Sequence, residues 1–156
     1  MGIKLIDNSQ RSKVQTFNSE FFMRLDRQRM NQFNKLAELF KPIERSLQLP
    51  LTDLVSRAEI YDESPELLTS VCSVYYLNRL SLHVSMVPIL SGSTKSLAPA
   101  ESVRENADIA LKKAIEFSEL LLQFVVNDLD ITRLWPFSAY AAFMAGSILL
   151  VCIFNS

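Results

Sequence analysis

The chain has 156 residues, 49% of them hydrophobic and 21% charged, with three glycines and a formal net charge of −1. This is enough apolar material for one ordinary domain core, and it excludes collagen-like, low-complexity and wholly disordered chains. Two cysteines eighty positions apart, Cys72 and Cys152, and a single histidine, His83, argue against a disulfide framework or a structural zinc site within the chain. The near-neutral balance also argues against a dedicated nucleic-acid surface.

Met1 to Ile6 lacks the apolar run of a secretory signal, and Ile6 stands where a myristoylation motif wants Ser or Thr. Residues 1–60 carry ten Lys/Arg against seven Asp/Glu and residues 61–156 carry six against ten, a split too modest for long-range steering. Residues 1–17 show no sustained period and read as a loosely ordered N-terminal segment. From Asn18 the pattern is helical: Phe22, Leu25, Phe33, Leu36, Leu39 and Phe40 recur mostly at three- and four-residue spacings, with Arg24, Arg27, Lys35 and Glu38 between them. Pro42 is expected to end this helix. The basic residues Arg24, Arg27, Arg29 and Lys35, interrupted by Asp26 and Glu38, read as a solvated face rather than a phosphate site.

A connector bounded by Pro42 and Pro50 leads to a short helix over 53–61, with Thr52 as the expected N-cap. Ser64-Pro65-Glu66 is the clearest helix start: a capping hydroxyl, a proline with φ set for the first turn, and an acid at the positive end of the dipole. This helix is expected to reach Val87, with Leu67, Leu68, Val71, Val74, Tyr75, Leu82 and Met86 as its apolar face. Residues 91–100 form a Ser/Pro-containing loop. Beyond it, Val103, Ala107, Ala110, Ala114, Phe117, Leu121 and Phe124 alternate four- and three-residue steps, a helical ridge. Leu111, Ile115, Leu122 and Val125 make a second ridge, so this helix is expected to touch more than one neighbour. Asn127-Asp128-Leu129-Asp130 breaks it.

Leu134 to Phe154 then runs twenty-one residues without a charged side chain. A helix apolar on all sides is buried in lipid or in a protein core. The concentration of small residues in its first half and the lack of flanking cations other than Arg133 favour a protein core; a C-terminal membrane anchor is the alternative, with Ala142-x-x-x-Gly146 as a packing motif. No strand-like alternation of useful length occurs, so the fold class is all-α, an irregular helical array.

Pro136-Phe137-x-x-Tyr140-x-x-Phe143-x-Ala145-Gly146 resembles a segment of the regulatory domain, or middle homology region, of fungal zinc binuclear cluster transcription factors. Leu47-Gln48-Leu49-Pro50 resembles a connector in that domain. Glu66-Leu67-Leu68 and Tyr75-Tyr76-Leu77-x-x-Leu80-x-Leu82-His83, followed by Val87-Pro88, resemble its next long helix, and Ala107, Ala110 and Ala114 resemble the helix before the Pro-Phe segment. The resemblance covers residues 45–154. It implies that residues 18–156 are a fragment of a larger helical regulatory domain in the nucleus. That fragment would act in control of RNA polymerase II transcription through protein partners or a small-molecule effector. The family's six-cysteine zinc module is absent from this sequence, so the resemblance implies zinc only there and no direct nucleic-acid contact by this chain.

The remaining candidates point away from chemistry. His83 has no second histidine and no acid three or four positions away, and reads as a packed helix residue. Cys72 and Cys152 fall in apolar segments and read as small hydrophobes. Asp62-Glu63 and Asp128/Asp130 read as caps and solvated turns. No phosphate loop, nucleophile elbow or zinc-protease motif occurs, so an enzyme is not expected. Tyr75, Tyr76, Phe137, Tyr140 and Phe143 are the candidate site, as an effector pocket or as core packing.

Overall fold

The computed structural model describes the backbone of residues 8–92 and 99–154, and within them the side chains from residue 27 onward. Helices α1 (Asn8–Ser46), α2 (Leu54–Tyr61), α3 (Pro65–Val84), α4 (Pro88–Ser91), α5 (Ala100–Val126) and α6 (Pro136–Phe154) follow in order, with a 3-10 turn at Ile131–Arg133. Among the described residues there is no strand, so the chain is all-α. The backbone falls into two compact units, residues 1–36 and residues 37–156.

In the first unit the described backbone is helical. α1 begins at Asn8 rather than Asn18, and so takes in much of the segment expected to be loosely ordered. Residues 1–7 of that segment lie outside the described residues. The cause is propensity: Gln10, Arg11, Lys13 and Gln15 are good helix formers with no Gly or Pro among them, and need no apolar period. Arg27, Arg29 and Lys35 are exposed, as a solvated face requires; the side chain of Arg24 lies outside the described residues.

The second unit opens on the last turns of α1, which pass through Pro42 instead of stopping there. Proline removes one intrahelical bond, but here it stands close to the terminus, and other bonds close the helix. Gln48 adopts a left-handed φ of 52°. Its N–H donates to the Arg45 carbonyl at 3.2 Å, and the Leu49 N–H donates to the Glu44 carbonyl at 3.2 Å, the paired closure of a Schellman motif. Asp62 closes α2 and Asp128 closes α5 with the same bonds and nearly the same φ. The chain thus ends three helices on left-handed residues that are not glycine.

At the starts of α2 and α3 side chains do the capping. Asp53, not the expected Thr52, caps α2, its carboxylate accepting from the Ser56 N–H at 3.1 Å. Ser64 caps α3 as expected, accepting from the Leu67 N–H at 3.1 Å. α3 ends at Val84, short of Val87, because Pro88 restricts the residues before it and starts α4. Of the loop expected over 91–100, residues 93–98 lie outside the described residues.

The core is a three-helix arrangement in which α3, α5 and α6 each pack on the other two. α5 contributes Ala110, Ala114, Phe117, Leu120 and Phe124, largely the predicted ridge, and α6 contributes Ala141, Ala145 and Ile148. The inner face of α3 differs from the expected one. Thr69, Ser70, Cys72 and Ser73 are fully buried beside Leu68, Tyr75, Tyr76 and Leu80, while Val71 is exposed. Small hydroxyl residues allow close helix approach, and two of them bond backbone groups. Ser73 donates to the Thr69 carbonyl at 2.7 Å, and Ser70 accepts the Trp135 N–H at 3.1 Å. α2 is tied to this core by Gln123 of α5, which donates to the Leu51 carbonyl and accepts from the Leu54 N–H, both at 2.9 Å.

Candidate functional site

The five predicted aromatics are not brought together. Tyr75 and Tyr76 lie in the core, with ring centroids 5.2 Å apart in an edge-to-face contact, and Tyr76 stacks obliquely on Phe117 at 5.3 Å. Phe137, Tyr140 and Phe143 are 55%, 55% and 67% exposed on α6. The pocket alternative therefore fails for the set as a whole: two of its members are core packing, and three belong to an open surface. Periodicity could not separate them, because α6 is apolar on every side.

Around Tyr75 the structure assembles a charged cluster that the sequence reading missed. Lys113 of α5 donates to Glu44 at the end of α1 and to Glu116 one turn along α5, the latter at 2.9 Å. The Lys113 and Glu116 side chains are each 9% exposed. Tyr75 Oη donates to the same Glu44 oxygen at 2.6 Å, and Lys113 Nζ stands 5.8 Å from the Tyr75 ring centre. Burial raises the Glu44 pKa, but hydrogen bonds from Lys113 and Tyr75 and the charges of Lys113 and Arg79 outweigh it and hold the carboxyl below 4.5. Burial and the Glu44 hydrogen bond push Tyr75 up, so it stays a protonated donor. With Glu44 ionised and Tyr75 neutral, the cluster is an ionic lock in which Lys113 ties Glu44 of α1 to α5. The signal was present in the sequence: Lys113 and Glu116 interleave with Ala110, Ala114 and Phe117, and so share the buried face. Glu44 was beyond reach, sixty-nine residues away. An open surface cleft of about 420 Å³ lies beside it, lined by Lys41, Glu44, Arg45, Gln48 and Leu49.

His83 faces Asn106 of α5, with Nδ1 2.8 Å from Asn106 Oδ1. The Asn106 amide nitrogen donates to the Ser102 carbonyl at 2.7 Å, which turns its oxygen toward the ring and makes Nδ1 the protonated nitrogen. Burial, then the positive charges of Arg79 and Lys113, pull the His83 pKa below 6.5, against the Asn106 hydrogen bond and the Glu105 charge. Burial pushes the Cys72 thiol up to about 12. A thiol so placed is not a thiolate nucleophile at neutral pH. Cys152 is half-buried on α6. Asp62 and Asp128 occupy helix ends, and Asp130 accepts from the Thr132 N–H at 2.9 Å to cap the 3-10 turn. Among the described residues no group of three His, Cys, Asp or Glu side chains is placed to hold a metal ion.

The remaining surface of note is the outer side of α6. Its inner stripe, Ser138, Ala141, Ala145 and Ile148, follows three- and four-residue steps into the core. Only 22% of its apolar window is buried, although the helix is long and apolar enough to cross a membrane by length and composition. The expectation of burial in a protein core thus holds for one stripe. α5 touches more than one neighbour, as expected, packing on both α3 and α6, but of its second ridge Ile115, Leu122 and Val125 are exposed. Compared with family models, curated proteins and solved structures, the chain matches none at a significant level.

Proposed function

We propose that this chain is a helical module of a transcription regulator's regulatory domain. It acts in the nucleus through protein contacts, with no chemistry of its own. The single observation that carries the contact role is the uncovered apolar side of α6. Monomeric proteins seldom leave a contiguous apolar patch of that kind bare without an interaction role. The transcriptional role rests on the resemblance over residues 45–154, in which the same helix carries the Pro-Phe segment. The buried ionic lock and the core position of Tyr75 and Tyr76 support a packing role for the interior. Expression of the full chain fused to a heterologous DNA-binding domain tests this reading. The fusion is expected to change reporter output in a way that Phe143→Glu reduces. An inert fusion, or one that Phe143→Glu leaves unchanged, overturns it.

A second reading, favoured by the length and composition of α6, makes this helix a membrane anchor. It requires α6 to leave its packing on α3 and α5, because Lys113 and Glu116 lie in the same core. Carbonate extraction of a membrane fraction separates the two: an anchored chain stays with the lipid, and a packed one is released.

A further inference from the structure

Three observations on α6 converge. Tyr140, Phe143, Leu150, Ile153 and Phe154, on one side of the helix at about 100° per residue, are each at least 55% exposed. With aromatic side chains burying ~150–250 Å² each and Leu and Ile somewhat less, these five leave on the order of 600 Å² of largely apolar surface in the open. A standard interface takes about 800 Å² per partner, so this one helix supplies most of a stable contact.

Gly146 stands between Phe143 and Leu150, in mid-helix, where glycine costs ~1 kcal/mol relative to alanine. A Cβ placed on it meets nothing within 4 Å. Its missing side chain therefore makes room for nothing inside the chain, and leaves a notch on the uncovered flank. At about 100° per residue, Phe143, Gly146 and Leu150 fall within one side of the helix.

Bulky side chains and a notch on the same side make a surface that fits a copy of itself. In an isologous two-fold contact each helix offers its Phe143 and Leu150 and receives the partner's beside Gly146. The absence of charge from Leu134 to Phe154 removes like-charge repulsion from such a contact. It also removes the charge pattern by which an unrelated partner would be selected. Lipid fits less well, since the opposite stripe of α6 is held by α3 and α5, and α5 bears the buried Lys113 and Glu116.

The geometry points to a second copy of this chain as the occupant: α6 is the contact helix of a symmetric dimer that crosses at Gly146. This rests on the proposed function only in taking the surface as one that meets protein.

Sedimentation of the full chain from about 1 to 100 μM tests it. The wild-type chain is expected to dimerise. Phe143→Glu and Gly146→Val are each expected to raise the dissociation constant at least about tenfold with helical circular dichroism unchanged. Ile89→Glu, on an exposed residue of α4, is expected to leave the dimer intact. Gly146→Ala supplies a readout that a merely structural glycine would not give, strengthening the monomer against urea while weakening association. A wild-type chain that stays monomeric throughout overturns the proposal, as does a dimer that survives both Phe143→Glu and Gly146→Val. Flotation with neutral phosphatidylcholine vesicles accompanied by loss of the dimer also overturns it and makes lipid the occupant. A monomer that still changes reporter output leaves the regulatory reading standing without the dimer; a dimer that is inert in the reporter does the reverse.

Discussion

Lys113 holds two carboxylates, Glu116 buried beside it and Glu44 partly exposed. Lys113→Met is expected to destabilise the fold by about 3–5 kcal/mol in urea titration, because Glu44 and Glu116 lose their shared cation. Replacing all three together, by Glu44→Gln, Lys113→Met and Glu116→Gln, is expected to recover most of that loss, since it is a mismatch of charge and not of volume. The same cluster and His83 set the response to acid. His83 has a folded pKa below its unfolded value of 6.5, so the neutral ring's contribution is complete above 6.5 and is lost as the pH falls toward the folded value. Glu44 adds a second loss of the same sign lower down. Its stability is full above 4.5 and disappears as the pH falls through the lowered folded value. The urea midpoint is therefore expected to decline in two stages on acidification, and His83→Gln is expected to remove the first stage only.

At the scale of elements, the left-handed residues closing α1, α2 and α5 carry a steric cost that glycine would not. Gln48→Gly is expected to stabilise the chain by about 1 kcal/mol, read as a raised urea midpoint with unchanged slope. The start of α3 was the most legible helix boundary in the sequence. Ser64-Pro65-Glu66 announces α3 by chemistry confined to one turn, whereas no local signal marks Gln48 as the residue that takes φ of 52°. The main ridge of α5 was legible because Ala110, Ala114, Phe117 and Phe124 contrast with polar neighbours. The inner face of α3 was not, because Ser70 and Ser73 are buried with hydroxyls that bond backbone and Thr69 is buried beside them, and polarity alone places such residues outside. In α6 the element was plain but its stripe was hidden. Every position is apolar or small, so only the partners select Ser138, Ala141, Ala145 and Ile148. For the same reason, periodicity did not place Phe137, Tyr140 and Phe143, three of the five candidate aromatics, on the open surface.

For the whole molecule, association and stability become one quantity if two copies share the α6 surface. The melting temperature is then expected to rise by about 2 °C for each tenfold increase in protein concentration, and Phe143→Glu is expected to flatten that dependence. Gln123 gives the core a mechanical side. Its single amide grips both the Leu51 carbonyl and the Leu54 N–H, so rotation of α5 about its axis drags the start of α2 with it. Gln123 thereby couples the order of the α2 start to the placing of α5. Gln123→Glu, which keeps the acceptor and deletes the donor, is expected to slacken that linkage and speed amide exchange in α2 ahead of α3.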